Sequence, residues 1–396
     1  MKILQVCNKI PYPSKDGGSM AMHQLSESLS KLGQEVKVLA MNTSKQNFDP
    51  AVLPADYRQR FKPEYVFMDT RVKALDALLN LFSDKSYNIE RFNSTEFEHT
   101  LQRILQAGKY DIIHLESLYV APYLPVIRKY SQAKVVYRAH NIEHLIWDGL
   151  ARKEKNPLRK KYLQLLADRL KAYEKDKINA FDGIAAITPG DAAYFRREGC
   201  TKPVVHIPFG IAVEPLVAAE SDPNAFFFIG AMDWLPNQES IRWVLDTLWP
   251  RIFEKHPNAR LYIAGRNKPR WLVQYKAPGV EVQGEVEDAT AFMSNKAILL
   301  APYFSGSGMR VKFIEAMAQK KVIVTTALGA EGIEGRDGEH FLLAETESGM
   351  ISVIDRFMRQ PELREVIGSK ARSLMADKYD WRRIAIRLVD LYLKIC

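Results

Sequence analysis

Short apolar runs recur along this chain at helix-sized intervals, and that alternation constrains the fold more than any other feature. Residues 2–7 and 35–41 are the first two, with a helical pattern at about 19–32 between them. After a stretch of variable pattern reaching about 107 come Asp111-Ile112-Ile113-His114-Leu115, Lys134-Val135-Val136-Tyr137-Arg138, Gly183-Ile184-Ala185-Ala186-Ile187 and Val204-Val205-His206-Ile207-Pro208. Near-continuous apolar strands separated by helices are the mark of a parallel sheet, because parallel neighbours need a long crossover and that crossover covers the sheet's faces. The pattern restarts at Phe226-Phe227-Phe228-Ile229-Gly230 and runs through Val322-Ile323-Val324. Two doubly wound α/β domains are predicted, 1–209 and 210–380, joined by the turn-rich stretch from Pro208-Phe209-Gly210 to Asp222-Pro223-Asn224. A length of 396 residues fits two cores better than one. The end is helical, with Trp381, Ile384, Leu388 and Leu391 spaced for one face.

Charge and cysteines exclude several classes. The formal charge is +9, and residues 152–177 hold ten Lys/Arg against four Asp/Glu. Asn156 and Pro157 read as an N-cap and first helical residue, and Leu163, Leu166, Leu170 and Tyr173 follow at helical spacing. This basic helix either lies on an anionic membrane surface or packs on the core with a solvated charged face. There is no recognition motif for nucleic acid. No apolar run approaches the roughly 18–20 residues that cross a bilayer, and the start reads as a strand, so the expected location is cytoplasmic; the membrane-surface reading of 152–177 would add peripheral contact at the inner face of the cell membrane. Cys7, Cys200 and Cys396 are odd in number and far apart, without a Cys-x-x-Cys pair, which argues against a disulfide framework or structural zinc.

The chemistry concentrates in Ser305-Gly306-Ser307-Gly308-Met309-Arg310-Val311-Lys312-Phe313-Ile314-Glu315, a glycine turn between the strand-like run 297–302 and an amphipathic helix. Free N–H groups and the macrodipole at such a junction favour a phosphate. Lys312 and Glu315, three apart, share a helix face, whereas Val311, Ile314 and Ala318 mark the packing face. Arg310 and Lys312 would diverge on a regular helix, so both meet one diphosphate only if Arg310 precedes the first regular turn. The competing reading is an exposed Lys312–Glu315 ion pair beside a plain turn.

Other candidates sit at predicted strand ends. Gly17 and Gly18 form a turn that leads from the first strand's loop into the helix, where backbone can approach a phosphate or an acceptor, though the full dinucleotide spacing is missing. His140, in Arg138-Ala139-His140-Asn141, ends a predicted strand and so points into the cleft mouth. His140 and His144 are four apart, but no third zinc ligand is evident. Glu116 is an acceptor-side carboxylate or plain surface polarity. Asn237, after Pro236, is expected to cap the helix containing Ile241, Val244, Leu245 and Leu248. Arg266, after Gly265, is a phosphate-side candidate or an ordinary loop arginine. No Asp-x-Asp occurs, so no metal cofactor is expected for a diphosphate bound at the glycine turn, and Arg310, Lys312 and the helix N-terminus must neutralise it.

From Phe226 to Gly332 the chain resembles the donor-binding domain of family 4 glycosyltransferases, retaining enzymes of the GT-B fold. The resemblance rests on Phe228-Ile229-Gly230-Ala231-Met232-Asp233-Trp234-Leu235-Pro236-Asn237, Leu261-Tyr262-Ile263-Ala264-Gly265-Arg266, Gly284-Glu285-Val286-Glu287-Asp288, the 305–318 loop and helix, and Gly329-Ala330-Glu331-Gly332-Ile333, in the family's order. It implies two Rossmann-like domains facing across a cleft, with the terminal helix 381–396 packing back on the first. It implies a sugar transfer from a UDP- or GDP-linked donor to a glycan or lipid-linked hydroxyl acceptor, in surface-polysaccharide or glycolipid assembly. By the same resemblance Glu315 meets the ribose, Gly308, Met309, Arg310 and Lys312 the diphosphate, the backbone at Val286 the base, and His140 the donor sugar. Gly17, Gly18 and Asn237 border the donor site. Ser307 stands where the family's usual first glutamate would be, so the chain is similar to the branch with Gly-x-Arg-x-Lys-x-x-Glu. A nucleotide-sugar epimerase or hydrolase, and a non-catalytic nucleotide-sugar-binding subunit, remain alternatives.

Overall fold

The computed structural model describes residues 1–14, 16–213, 221–306 and 308–396. The chain divides into two compact units, Met1–Gly210 with Ile384–Cys396, and Ile211–Arg383.

The first unit is built on seven parallel strands, β1 (Lys2–Cys7), β2 (Glu35–Thr43), β3 (Glu64–Met68), β4 (Ile112–Glu116), β5 (Lys134–Ala139), β6 (Gly183–Ala186) and β7 (Val204–His206), in the order β3-β2-β1-β4-β5-β6-β7. Winding runs outward from β1 to β3, then returns to start again at β4, so the switch point lies between β1 and β4. Side chains alternate between two cores, as the pleat requires. Leu4, Val6, Ile113, Leu115, Val135 and Tyr137 face one helical layer. Ile3, Cys7, Ile112, Val136 and Ala185 face the other, where Ile384, Leu388, Leu391 and Tyr392 of the helix Trp381–Ile395 complete the core. The sequence pattern missed β3, whose Phe67 is exposed at the sheet edge.

The second unit holds β8 (Asp222–Ile229), β9 (Arg260–Ala264), β10 (Val280–Gly284), β11 (Lys296–Leu300), β12 (Val322–Thr325) and β13 (Leu342–Leu343), all parallel, in the order β10-β9-β8-β11-β12-β13. Its switch point lies between β8 and β11. Strand β8 begins at Asp222, inside the stretch expected to be linker. In open sheets of this kind ligands bind beyond the C-terminal strand ends at the switch point, which is where both glycine turns fall.

The basic segment takes in the end of the helix Glu143–Lys153 and all of the helix Pro157–Lys177, and Asn156 caps the second by accepting from the N–H groups of Leu158 and Arg159. Leu166 and Leu170 are buried, and Tyr173 packs on the first unit's core. The apolar stripe is therefore spent on the protein interior and the charged face is solvated. A membrane cannot use that stripe.

Candidate functional site

In the second unit the glycine turn is shaped by backbone conformation. Gly306 (φ +90°) and Gly308 (φ +82°) both occupy the left-handed region, where a Cβ is strained. Ser307 lies outside the described residues. The helix Val311–Ala318 then begins with Arg310 as an extended N-cap residue (φ −89°, ψ 97°), outside the regular turn. Arg310 and Lys312 therefore do not diverge. The guanidinium lies 4.8 Å and the Lys312 ammonium 5.5 Å from the centre of the same ring, Tyr303.

Lys312 is held in detail. Its Nζ donates to Asn237 Oδ1 at 3.0 Å and sits 4.3 Å from the centre of the Phe228 ring. Tyr303 donates its hydroxyl hydrogen to the same Asn237 oxygen at 2.6 Å, and Asn237 Nδ2 donates to Ala231 O at 2.7 Å. The expectation that Asn237 caps its helix is corrected. Trp234 occupies the N-cap position of Leu235–Trp243, and the buried Asn237 spends its side chain aiming Lys312. A Cβ on Gly230 would stand 2.5 Å from Lys312 Nζ, so only glycine leaves the ammonium its place at the end of β8.

Burial and the neighbouring Arg310 push the Lys312 ammonium down to about 7, while burial pushes the Glu315 carboxyl up to about 7. Both groups are desolvated on one helix face and titrate near neutrality, as groups in a ligand site do. Burial also lowers Arg310, whose Nη1 donates to Gly308 O. Gly308 N donates to Glu331 at 3.1 Å, and Met309 is buried. Arg266 and Val286 follow β9 and β10, one and two strands outward from β8, along the same C-terminal edge of the sheet. Sequence reasoning gave no part to Tyr303, the ring around which both cations gather. Its only local signal was its place just after an apolar strand.

In the first unit, the helix Gly17–Lys31 starts two residues earlier than the pattern suggested, so Gly17 and Gly18 are its first helical residues. Asp16 caps it through the N–H of Ser19 and pairs with Lys9 at 2.6 Å. A Cβ on Gly18 would meet Lys9 Nζ at 2.7 Å.

Glu116 is fully buried at the end of β4, which corrects both readings of it as an outward carboxylate. Its Oε2 lies 2.6 Å from His140 Nε2, and its Oε1 accepts from Gln5 Nε2 at 2.8 Å, with His114 and Arg138 at 3.3 and 3.9 Å. The Arg138 guanidinium, with His114 and the hydrogen bond from His140, holds Glu116 well below the usual carboxylate range despite its burial. His114 continues the chain to the Tyr392 hydroxyl at 2.7 Å. An ionised Glu116 fixes the His140 proton on Nε2 and leaves Nδ1 as an acceptor, while burial lowers the imidazole's own pKa. The ring is neutral at pH 7, with one lone pair to offer a hydroxyl.

His144 does not join His140. Its Nδ1 lies 2.6 Å from Glu174 Oε2, and both residues are buried. The same Glu174 accepts from Glu143 N, and Glu143, pushed up to about 7 by burial, accepts from the Tyr119 hydroxyl at 2.9 Å. The two histidines are thus anchored on different carboxylates. Among the described residues no group of three or more His, Cys, Asp or Glu is placed to hold a metal ion.

A family model, Glycosyltransferase Family 4, matches residues 15–215, half of the chain, and a second, Glycosyl transferases group 1, matches 223–360. An uncharacterized 44.6 kDa protein in the cps region of Klebsiella pneumoniae is 24% identical over 394 residues, covering 97% of each chain. A phosphatidyl-myo-inositol mannosyltransferase of Mycobacterium leprae is 23% identical over 412 aligned residues, covering 99% of this chain and 96% of its own. Among solved structures, Anabaena HepE in complex with UDP-glucose superposes with a TM-score of 0.66 at 12% identity, all of each chain being covered.

Proposed function

The chain belongs to the family 4 glycosyltransferases and has the GT-B fold, and on that premise we propose that it is a retaining, metal-independent enzyme moving a hexosyl or N-acetylhexosaminyl group from a UDP- or GDP-linked donor to a glycan or lipid-linked hydroxyl. The observation that carries the reading is the convergence of Arg310 and Lys312 on Tyr303 at the start of the helix Val311–Ala318. Departure of a nucleoside diphosphate builds negative charge, and two aimed cations with a helix N-terminus stabilise it without reorganising. Glu315, on the Lys312 face, takes the ribose hydroxyls.

Arg266 and Gly308 serve the phosphates, Val286 the base, and Ser307 the donor side. In the first unit Gly17 and Gly18 bring backbone to the donor, and His140 accepts a hydrogen bond from a sugar hydroxyl at Nδ1. Glu116 acts through His140 as a positioning residue. Retention follows from attack on the leaving-group face, the departing phosphate taking the acceptor's proton. A lipid-linked acceptor agrees with the named activity of the mycobacterial relative. It also agrees with a peripheral place on the cytoplasmic face of an anionic membrane, next to the basic segment 152–177.

A donor screen by mass spectrometry on the purified protein, with labelled transfer to lipid or glycan acceptors, tests this. Transfer should need an acceptor, persist in excess EDTA and gain nothing from added magnesium or manganese. Donor consumption without acceptor would point to an epimerase or hydrolase, binding without turnover to a binding subunit, and loss in EDTA restored by metal would remove the charge-neutralising role of Arg310 and Lys312.

A further inference from the structure

The short helix Ala74–Asn80 is built the wrong way round for a soluble surface. Leu75, Leu78, Leu79 and Phe82 follow at i, i+3, i+4 and i+7, the spacing of one apolar stripe, yet they are 66%, 55%, 61% and 88% exposed. Bonds from Leu81 N to Leu78 O, Phe82 N to Leu79 O and Ser83 N to Asn80 O continue the turn past the helix end and keep Phe82 on that stripe. Ala77, Asn80 and Ser83 are the residues that turn inward. Val72, also exposed, extends the apolar surface at its start.

The backbone beneath is anchored. Arg91 donates to Thr70 O, Lys73 exchanges two hydrogen bonds with the Tyr87 hydroxyl, and Arg169 donates to Asn80 O at 2.8 Å and to Leu81 O at 3.2 Å. Arg169 belongs to the helix Pro157–Lys177, whose own apolar stripe is buried. Apolar residues held outward beside a strongly basic helix complement one surface above all, an interface of acyl chains and anionic headgroups. Arg71, Lys73 and Lys85 flank the stripe, with Asp69, Asp76 and Asp84 among them, so the local charge is balanced and the attraction must come from the exposed Arg159, Lys160 and Lys161.

We propose that residues 72–82 form an interfacial anchor whose leucine and phenylalanine stripe enters an anionic lipid surface to which the basic helix Pro157–Lys177 draws the protein. No helix among the described residues is long and apolar enough to cross a membrane, so the contact is peripheral. The proposal rests on the glycosyltransferase reading only for its purpose, delivery of a lipid-linked acceptor. Its test needs no turnover.

The full chain is floated with vesicles of phosphatidylcholine alone and of phosphatidylcholine with phosphatidylglycerol, and hydrogen exchange is followed in 72–82. Binding should require the anionic lipid and slow exchange in that segment. Leu75→Ser/Leu79→Ser/Phe82→Ser should weaken it at least about tenfold, since the stripe supplies the buried apolar area. Each lysine neutralised in Lys160→Gln/Lys161→Gln should cost about fivefold at low ionic strength. Circular dichroism and nucleoside diphosphate binding should be unchanged in both variants, and failure of the unmodified protein to bind either UDP or GDP would sink the enzymatic reading while leaving the vesicle result standing. Equal binding by the triple variant, or no vesicle binding at all, overturns the anchor. So does self-association without lipid that the triple variant abolishes, which would make the stripe a contact between two copies.

Discussion

Lys312 and Glu315 are poised to exchange protons with a ligand, and the signs differ. With its ammonium pushed down to about 7, Lys312 is largely neutral at pH 8, and a diphosphate beside it restores the proton. Binding then takes up a proton, and affinity falls as pH rises above 7, approaching tenfold per unit until the ligand-bound pKa is reached. Glu315, pushed up to about 7, loses a proton below that value when it ionises against ribose hydroxyls, so uptake turns toward release in mildly acidic buffer. Calorimetry of UDP binding in buffers of different ionisation enthalpy reads this directly. In Lys312→Ala the uptake at pH 8 should vanish, and its persistence would remove Lys312 from the diphosphate. Glu315→Ala should cost about 1.5–3 kcal/mol, roughly 10- to 150-fold, for UDP and for uridine alike, because it loses a charge-assisted ribose contact. Arg310→Ala should weaken UDP more than uridine.

At the scale of elements, two glycines separate support from function. A Cβ on Gly265, after β9, would lie 1.9 Å from the backbone oxygen of Gly230, after β8. Neither strand end can yield without moving its partner, so Gly265→Ala should destabilise the second unit by about 1–3 kcal/mol. The Gly230→Ala methyl meets the ends of two side chains, Lys312 Nζ at 2.5 Å and Asn237 Nδ2 at 2.8 Å. Side chains can swing away, so it should unfold near the parent temperature yet bind UDP distinctly less well. Thermal unfolding paired with UDP titration distinguishes them, and equal stability losses would contradict the geometry.

For the whole molecule, the last helix is part of the first unit's core. Ile384, Leu388, Leu391 and Tyr392 cover the sheet face that also carries Gln5, His114, Glu116 and Arg138. Each large apolar side chain removed from a core costs about 2–5 kcal/mol against a total stability of about 5–15 kcal/mol. A chain ending at Arg383 should therefore lose the fold of residues 1–210 while 211–383 resists protease, and mass spectrometry of the digest shows which survives. Tyr392→Phe should fold and lose about 1–3 kcal/mol, since it leaves buried His114 without the hydroxyl.

Local pattern determined the strand and helix order, because burial on both faces of a parallel sheet imposes continuous apolar runs, and capping is a matter of adjacent residues, as at Asn156. It also marked the glycines after β11, with Arg310 and Lys312 at the start of the following helix, as a phosphate pattern, while the ribose role of Glu315 came from the resemblance. The edge strands β3 and β13 escaped it, β13 because it is only two residues long and β3 because it sets an exposed Phe67 between buried Val66 and Met68 and begins at Glu64, so it lacks the fully buried run of an inner strand. Tertiary structure alone decided what each polar group does. Asn237 aims Lys312 instead of capping its helix because Tyr303, distant in sequence, supplies the other half of the contact. Glu116 is an enclosed anchor for His140 because Gln5, Arg138 and His114 surround it, and Tyr392 joins that network from 278 residues away. Periodicity tells which residues share a face. Whether that face meets protein or solvent depends on what the rest of the chain brings against it, and so the stripe of Leu166 and Leu170 is buried while that of Leu75, Leu79 and Phe82 is exposed.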